Sequence, residues 1–504
     1  MTKHEIAMAA VRTVWHRLPL ITLIVVGAFI AFCGVTLLVR QVQKQRGVGV
    51  VVSPAMPTAA YGDEPMRKGR FTTNIDYTSL DAPGNGEVTS SVAWDDGWFS
   101  ADPTAYNHEL ATTAAVIATL AYSESGYYQA GNTQPAYMEH ALSQLGFSDV
   151  STESYQYRSE IVDEVLNLFT DESDTVAYAI ARKRLQTAGG VSRDLILVSI
   201  RGSYGSEWLS NLNLMPGEQA ATTAMAGKSS ESNDAIQSIA NALEGWMSFV
   251  NSLANRTPGV PDTHEAAEPR ISGVDDHSGY FRAAEEICAE LSRWIGESHD
   301  AGAEVSVLLT GHSRGGAIAN LIAAELDEAM AVDQQVMQQQ VPTSFSQVSA
   351  VYAHTFAAPA TTVSSQAHAE RYSNIFNIVN PSDIMPYLPL RSWGYERYGV
   401  NLYLPAVDGV DFDAKYEDMR HSYVQTVGVE SGCDPADKRV IDRVINDVSN
   451  QIETARDLMT PTGVTTVVTS CAAHIDPVRI LHGHYPSTYI AWMDVLDAGD
   501  LTRE

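Results

Sequence analysis

Ser313 sits where a serine hydroxyl could act as a nucleophile. It lies in the stretch Glu304-Val-Ser-Val-Leu-Leu-Thr-Gly-His-Ser-Arg-Gly-Gly-Ala-Ile-Ala-Asn320, whose centre, Gly311 to Gly315, matches G-x-S-x-G. A serine on a sharp strand-to-helix turn projects its hydroxyl above a sheet edge, and small flanking residues let the backbone segments nearly touch. The helix that follows favours negative charge developing on a substrate oxygen at its N-terminus. The same pattern also fits a Gly-rich turn with an incidental serine. A serine hydroxyl is a poor nucleophile at neutral pH, so it needs a histidine to take its proton and a carboxylate to orient that histidine. In parallel sheets with such an elbow the partners follow in the order Ser, Asp, His. Asp383 satisfies the order and follows a strand candidate, although it also reads as a turn aspartate after Pro381. His484, between Gly483 and Tyr485, is the histidine favoured; His482, His474 and His421 are rivals by pattern alone.

The elements that must position these residues read as strands alternating with helices. Val305, Val307, Leu308 and Leu309 form the apolar run of a strand covered on both faces, and Ala317, Ile318, Leu321, Ile322 and Leu326 recur at helical spacing. Further strands are expected over Thr175–Leu185 and Asp194–Ile200, joined as a hairpin, and over Val348–Phe356 and Asn374–Val379. Helices are expected over Tyr106–Ser123, Pro135–Leu145, Ala283–Ile295, Asp437–Leu458 and Pro486–Leu496. This alternation predicts an α/β fold, a mostly parallel sheet flanked by helices.

Composition narrows the partners. With 61 acidic and 32 basic residues the net charge is −29, which argues against nucleic acid and gives no general attraction to anionic lipid. Near the N-terminus, Leu18 to Val39 carries no charge and is bracketed by Arg17 and Arg40. As a helix its 22 residues span about 33 Å, enough for a bilayer core of about 30 Å. The chain is thus expected to divide into a tail (1–17), a transmembrane anchor (18–39), a linker or extended arm rich in Gly, Pro, Ser and Thr (40–91) and a folded body (92–504). The expected location is the cell membrane, single-pass, with the body outside the cytoplasm. The alternative is secretion after cleavage near Thr58-Ala59-Ala60. Cys433 and Cys471 lie in polar, loop-like sequence and are a plausible disulfide in an exported protein, whereas Cys288 reads as a buried thiol. No zinc or calcium spacing occurs, and no metal or cofactor is expected. The oligomeric state has no signature.

Several pieces in order resemble the class-three lipases, the fungal-lipase-like α/β-hydrolases. They are Ile200-Arg-Gly-Ser203 with Trp208-Leu209, His277-Ser-Gly-Tyr280, Gly311-His-Ser-Arg-Gly-Gly316, Thr355-Phe-Ala-Ala-Pro359, Asn380-Pro-Ser-Asp383 with Pro386, and His484 with Tyr489. The resemblance spans roughly residues 175 to 493 and is weakest over 215–272 and 391–476. It implies a serine hydrolase of carboxylic esters acting on a lipid or other ester substrate through Ser313, Asp383 and His484. It also implies an oxyanion hole from the backbone N–H of Arg314 and from Ser203. Over 215–272, the stripe Ile236, Ile239, Leu243, Trp246, Val250 and Leu253 reads either as an ordinary packed helix or as a lid, with Trp246, Leu243 and Ile239 meeting substrate. Other readings are a small-ester esterase, another acyl hydrolase or peptidase on this fold, and a non-catalytic cell-surface binding protein. The intact Ser, Asp, His order argues against the last.

Overall fold

The computed structural model describes residues 67–79, 82, 86–129, 137–153, 176–186, 192–202, 278–331, 344–454, 466, 470, 474 and 477–504. Ten strands are described: β1 (Arg70–Thr78), β2 (Glu87–Asp95), β3 (Asp149–Glu153), β4 (Tyr178–Gln186), β5 (Ser192–Ile200), β6 (Glu304–His312), β7 (Val348–Phe356), β8 (Ile375–Val379), β9 (Val400–Tyr403) and β10 (Thr502–Arg503). The helices used below are α1 (His108–Gln129), α2 (Tyr137–Gln144), α3 (Ser278–Asp300), α4 (Arg314–Ala331), α5 (Phe412–Val427), α6 (Asp437–Gln451), α7 (Pro477–His482) and α8 (Pro486–Val495).

Eight strands form one sheet in the order β10-β9-β8-β7-β6-β5-β4-β3. From β5 to β9 every pairing is parallel; β3 and β4 extend one edge antiparallel, and β10 closes the other. The expected hairpin of Thr175–Leu185 with Asp194–Ile200 is the β4–β5 pair. Alternation along the strands makes two cores. Leu195, Leu197, Leu308, Phe356, Phe376 and Ile378 face α1, α5 and α8. Ile196, Val198, Ile200, Val305, Val307 and Leu309 face α3 and α4. Both faces of β6 are therefore buried, which is why its sequence is a continuous apolar run. A third cluster packs Ile441, Val444 and Val448 of α6 against Ile384, Leu388 and Leu390, the residues just beyond Asp383.

The stretch expected as a linker over 40–91 is, from Arg70 onward, structured. β1 and β2 pair antiparallel from Arg70 opposite Asp95 to Thr78 opposite Glu87, and bury Ile75, Tyr77, Val88, Val92 and Trp94. The folded body thus begins well before residue 92. The buried ammonium of Lys183 on β4 reaches Asp96 Oδ1 at 2.7 Å and Leu145 O at 2.8 Å, and lies 4.8 Å from the Trp94 ring and 5.3 Å from the Phe71 ring. Burial pulls its pKa below the usual lysine range while Asp96 opposes that shift. The pair clasps the hairpin to the sheet.

The span 18–39 and the stripe with Ile239, Leu243 and Trp246 in 215–272 lie outside the described residues. Among the described residues no helix is long and apolar enough to cross a membrane.

A fragment starting at residue 92 cuts β2 and deletes β1, and should be insoluble or lack a cooperative melt. A fragment starting at residue 67 should melt cooperatively. Lys183→Met leaves the Asp96 carboxylate to the Trp94 indole N–H and the Gly69 N–H and should cost about 1–3 kcal/mol. Equal melting curves for the two fragments would show that the hairpin is dispensable.

Candidate active site

Ser313 stands between the end of β6 and the start of α4 with φ at 57°, the left-handed region that non-glycine residues rarely adopt. Such a conformation costs about 1–2 kcal/mol and persists only where the surroundings impose it. Here β6 is clamped between β5 and β7, and the Ser313 N–H donates to Phe356 O at 2.8 Å. The turn is too tight for side chains at its flanks. A Cβ on Gly311 would strike the backbone of Gly315, and one on Gly315 would strike Ile200 O at the end of β5.

Asp383 follows β8, in the turn Asn380-Pro-Ser-Asp, and is fully buried. Three donors compensate its lost water. Met385 N–H reaches Oδ1 at 2.9 Å, and the Tyr489 hydroxyl and His484 Nδ1 each reach Oδ2 at 2.8 Å. Burial, then the Asp383 charge, pushes the Tyr489 pKa well above the usual phenol range, so the hydroxyl keeps its proton and remains a donor. Tyr489 entered the sequence reading as a position and not as a partner of Asp383. Its signal is its place one helical turn into α8, on the face turned back toward the sheet.

His484 lies in the short turn between α7 and α8, with its N–H on Leu481 O at 2.9 Å. Its Nε2 is 2.9 Å from Ser313 Oγ. Because the carboxylate facing Nδ1 can only accept, Nδ1 carries the ring proton and Nε2 presents its lone pair to the serine hydroxyl. The structure thus brings Ser313, His484 and Asp383 into one line. The rival histidines are elsewhere. The His482 ring packs edge-on to Tyr485 at 5.2 Å and against Gly432, His474 lies 3.7 Å from Asp447, and His421 is exposed on α5 beside Glu417.

Arg314 opens α4. The Ala317 N–H is bonded to Ser313 O at 3.0 Å, so the N–H groups of residues 314 to 316 precede the helix's own bonding and make an electropositive end beside Ser313 Oγ. Ser203 lies outside the described residues, but Gly202 before it abuts the elbow: a Cβ there would fall 3.1 Å from Ser313 Cβ.

The expected Cys433–Cys471 disulfide has one of its two ends outside the described residues. Cys433 is a free, buried thiol, with Asn380 Nδ2 4.0 Å from its sulfur, and burial pushes its pKa up to about 12. Cys471 lies outside the described residues. The turn residues around Cys433 suggested exposure, whereas the loop packs beneath the Asp383 turn. Cys288 is free and buried between α3 and α4, as its sequence setting suggested.

Residues 197–393 match the class 3 lipase family, a span from β5 through the elbow to the turn beyond Asp383. No curated protein sequence matches the chain. Solved structures similar to it include a deletion mutant of the Rhizomucor miehei lipase–propeptide complex, with 17% identity, covering 59% of this chain and 66% of that one at a TM-score of 0.31. This chain therefore spans just under two thirds of that chain. Another is the lipase from Rhizopus microsporus var. chinensis, with 17% identity, 65% and 82% coverage and a TM-score of 0.29. A third is the mono- and diacylglycerol lipase from Aspergillus oryzae, with 16% identity, 61% and 82% coverage and a TM-score of 0.31. At these scores the likenesses carry no argument about chemistry. The likeness to the class 3 lipase family thus lies in residues 197–393, the span that carries Ser313 and Asp383.

Proposed function

We propose that Ser313, His484 and Asp383 form a catalytic triad that cleaves acyl esters of lipids, acylglycerols or phospholipids, through an acyl-enzyme. The observation that carries this reading is the unbroken line from Ser313 Oγ to His484 Nε2 at 2.9 Å and from His484 Nδ1 to Asp383 Oδ2 at 2.8 Å. Ser313 Oγ adds to the ester carbonyl while its proton passes to His484 Nε2, and Asp383 holds the resulting imidazolium. The charge on the carbonyl oxygen develops beside the start of α4, where the Arg314 N–H donates; Ser203 is the proposed second donor. His484 then protonates the leaving alcohol oxygen as the C–O bond breaks. Water, deprotonated by the same nitrogen, attacks the acyl-serine and returns the free acid and the serine hydroxyl. A small-ester esterase would use the same steps, so the substrate class rests on the family and is settled by a panel of long- and short-chain esters.

A fluorophosphonate probe should label Ser313 and no other serine. Ser313→Ala should fold normally and lower kcat by several powers of ten. His484→Ala should be as inactive, while His482→Ala should stay within a few-fold of the unmodified chain. Near-full activity in Ser313→Ala would sink the triad, and an inactive His482→Ala beside an active His484→Ala would move the base.

We propose further that Leu18–Val39 anchors the chain in a membrane. Its support is a charge-free run of bilayer length between Arg17 and Arg40. Full-length protein should then stay in the membrane fraction after carbonate washing, and a fragment from residue 67 should be released. A mature N-terminus at Tyr61 would show cleavage instead.

A further inference from the structure

The turn that carries His484 is short, yet it must hold the ring between a serine on one element and a carboxylate on another. Two consecutive carbonyls of that turn are gripped by side chains from those same two elements. Asn380 Nδ2 donates to Gly483 O at 2.8 Å. His312 Nε2 lies 2.8 Å from His484 O. Asn380 begins the turn that ends in Asp383, and His312 immediately precedes Ser313. The neighbours of both the acid and the nucleophile thus hold the backbone of the base.

The proton positions follow from the partners. A carbonyl oxygen only accepts, so His312 Nε2 carries the ring proton. Burial, then the adjacent His484, holds the His312 pKa well below the usual range, so the ring is neutral and its Nδ1 is a bare acceptor. The Tyr122 hydroxyl donates to that Nδ1 at 2.9 Å, and desolvation keeps this hydroxyl protonated. Asn380 is committed in every direction. Its Oδ1 accepts from Ser382 N–H at 3.1 Å, which turns Nδ2 toward Gly483. Its own O accepts from Asp383 N–H at 3.0 Å, and its N–H donates to the Tyr489 hydroxyl at 3.1 Å. The turn has no slack on its other side, since a Cβ on Gly483 would collide with Ser382 O.

We propose that His312 and Asn380 are positioning residues which act through His484 by fixing the carbonyls of residues 483 and 484, without touching substrate. This rests on the triad reading above. Releasing either carbonyl lets the turn relax by a fraction of an ångström to an ångström, and the distance from His484 Nε2 to Ser313 Oγ changes with it. Misplacement of that size costs up to about a hundredfold in rate.

The test uses full-length protein and a soluble short-chain ester, with kcat and KM measured at a temperature where thermal melting shows every variant folded. His312→Asn is too short to reach His484 O. His312→Gln places an amide N–H near the position of Nε2. Asn380→Asp keeps the shape and replaces the donor with an acceptor. His312→Asn and Asn380→Asp should each lower kcat by roughly 10–100-fold with KM within about twofold. His312→Gln should recover most of the loss. Fluorophosphonate labelling of Ser313 should slow in the same ratio as kcat. The inference is overturned if folded His312→Gln is no better than folded His312→Asn, or if both match the unmodified chain. It is also overturned if kcat falls only in step with the melting temperature. Should Asn380→Asp not fold, the His312 pair decides alone. An unmodified chain without turnover, or an active Ser313→Ala, would instead sink the triad reading, and is told apart by needing no His312 variant.

Discussion

The site depends on one residue held in a conformation it does not prefer. Ser313 at a φ of 57° turns the chain from β6 into α4 within a single step, and that step aims Oγ out of the sheet edge. Neither β6 nor α4 could impose this alone. The strand is fixed because both its neighbours are parallel partners and both its faces are buried; the helix is fixed because Ile318, Ile322 and Leu326 lie in the core shared with α3. The strain of about 1–2 kcal/mol is small against that packing, so the turn persists. Once Oγ has a direction, the acid and base must come to it. Asp383 arrives on the turn at the carboxyl end of β8, where the chain leaves the sheet, and His484 on the turn between α7 and α8.

The acid and base are supported from outside the two main cores. Ile384, Leu388 and Leu390, next to Asp383, pack on α6, and Ile480 of α7, just ahead of His484, joins the same cluster. Arg479 of α7 reaches Asp437 at the start of α6 at 2.6 Å. Segment 391–476, where the resemblance to the family is weakest, therefore contributes the floor under the acid–base pair. The Cys433 loop is part of that floor, which explains why its thiol is buried and unpaired although its sequence reads as a surface turn.

What was legible in the sequence follows from how local each signal is. The elbow was readable because a strand buried on both faces, a glycine-flanked turn and a helix with a continuous apolar face adjoin within one stretch. The hairpin β1–β2 was not, although its positions alternate: Thr73 and Ser90 stand on its inward side, and Gly and Pro between the strands suggested a linker. The four-residue β9 carries no period of its own and exists because β8 offers it an edge. Asp383 was placed by chain order, but its match to His484 crosses 101 residues, with α5, α6 and α7 among the described elements between them. Spacing could not separate His484 from His482, two residues earlier. What separates them is where α7 stops: His482 is its last residue and turns toward Tyr485, while His484 lies past the end and faces Ser313.

The register between nucleophile and acid is set by polar contacts in the core rather than by apolar ones. Asn320 of α4 is fully buried. Its Nδ2 donates to Asn377 Oδ1 at 3.0 Å and to Tyr398 O at 2.8 Å, and its Oδ1 accepts from Tyr398 N–H at 3.1 Å and from the Thr361 hydroxyl at 2.9 Å. Asn377 of β8 donates in turn to Tyr398 O at 2.9 Å and accepts from the Thr355 hydroxyl of β7 at 2.7 Å. Every hydrogen-bonding position of the Asn320 amide is filled, so the network carries no uncompensated desolvation. A leucine at residue 320 would match the surrounding apolar side chains but would remove the acceptor of the Tyr398 N–H and of the Thr361 hydroxyl, at about 1–3 kcal/mol each. Apolar contact is also non-directional, and a helix packed by it alone can slide over a sheet with little loss. Hydrogen bonds with fixed donors and acceptors do not allow that slide. Asn320 lies on the helix that begins after Ser313, and Asn377 lies on the strand that ends before Asp383. Locking these two asparagines together therefore locks the distance that His484 must bridge.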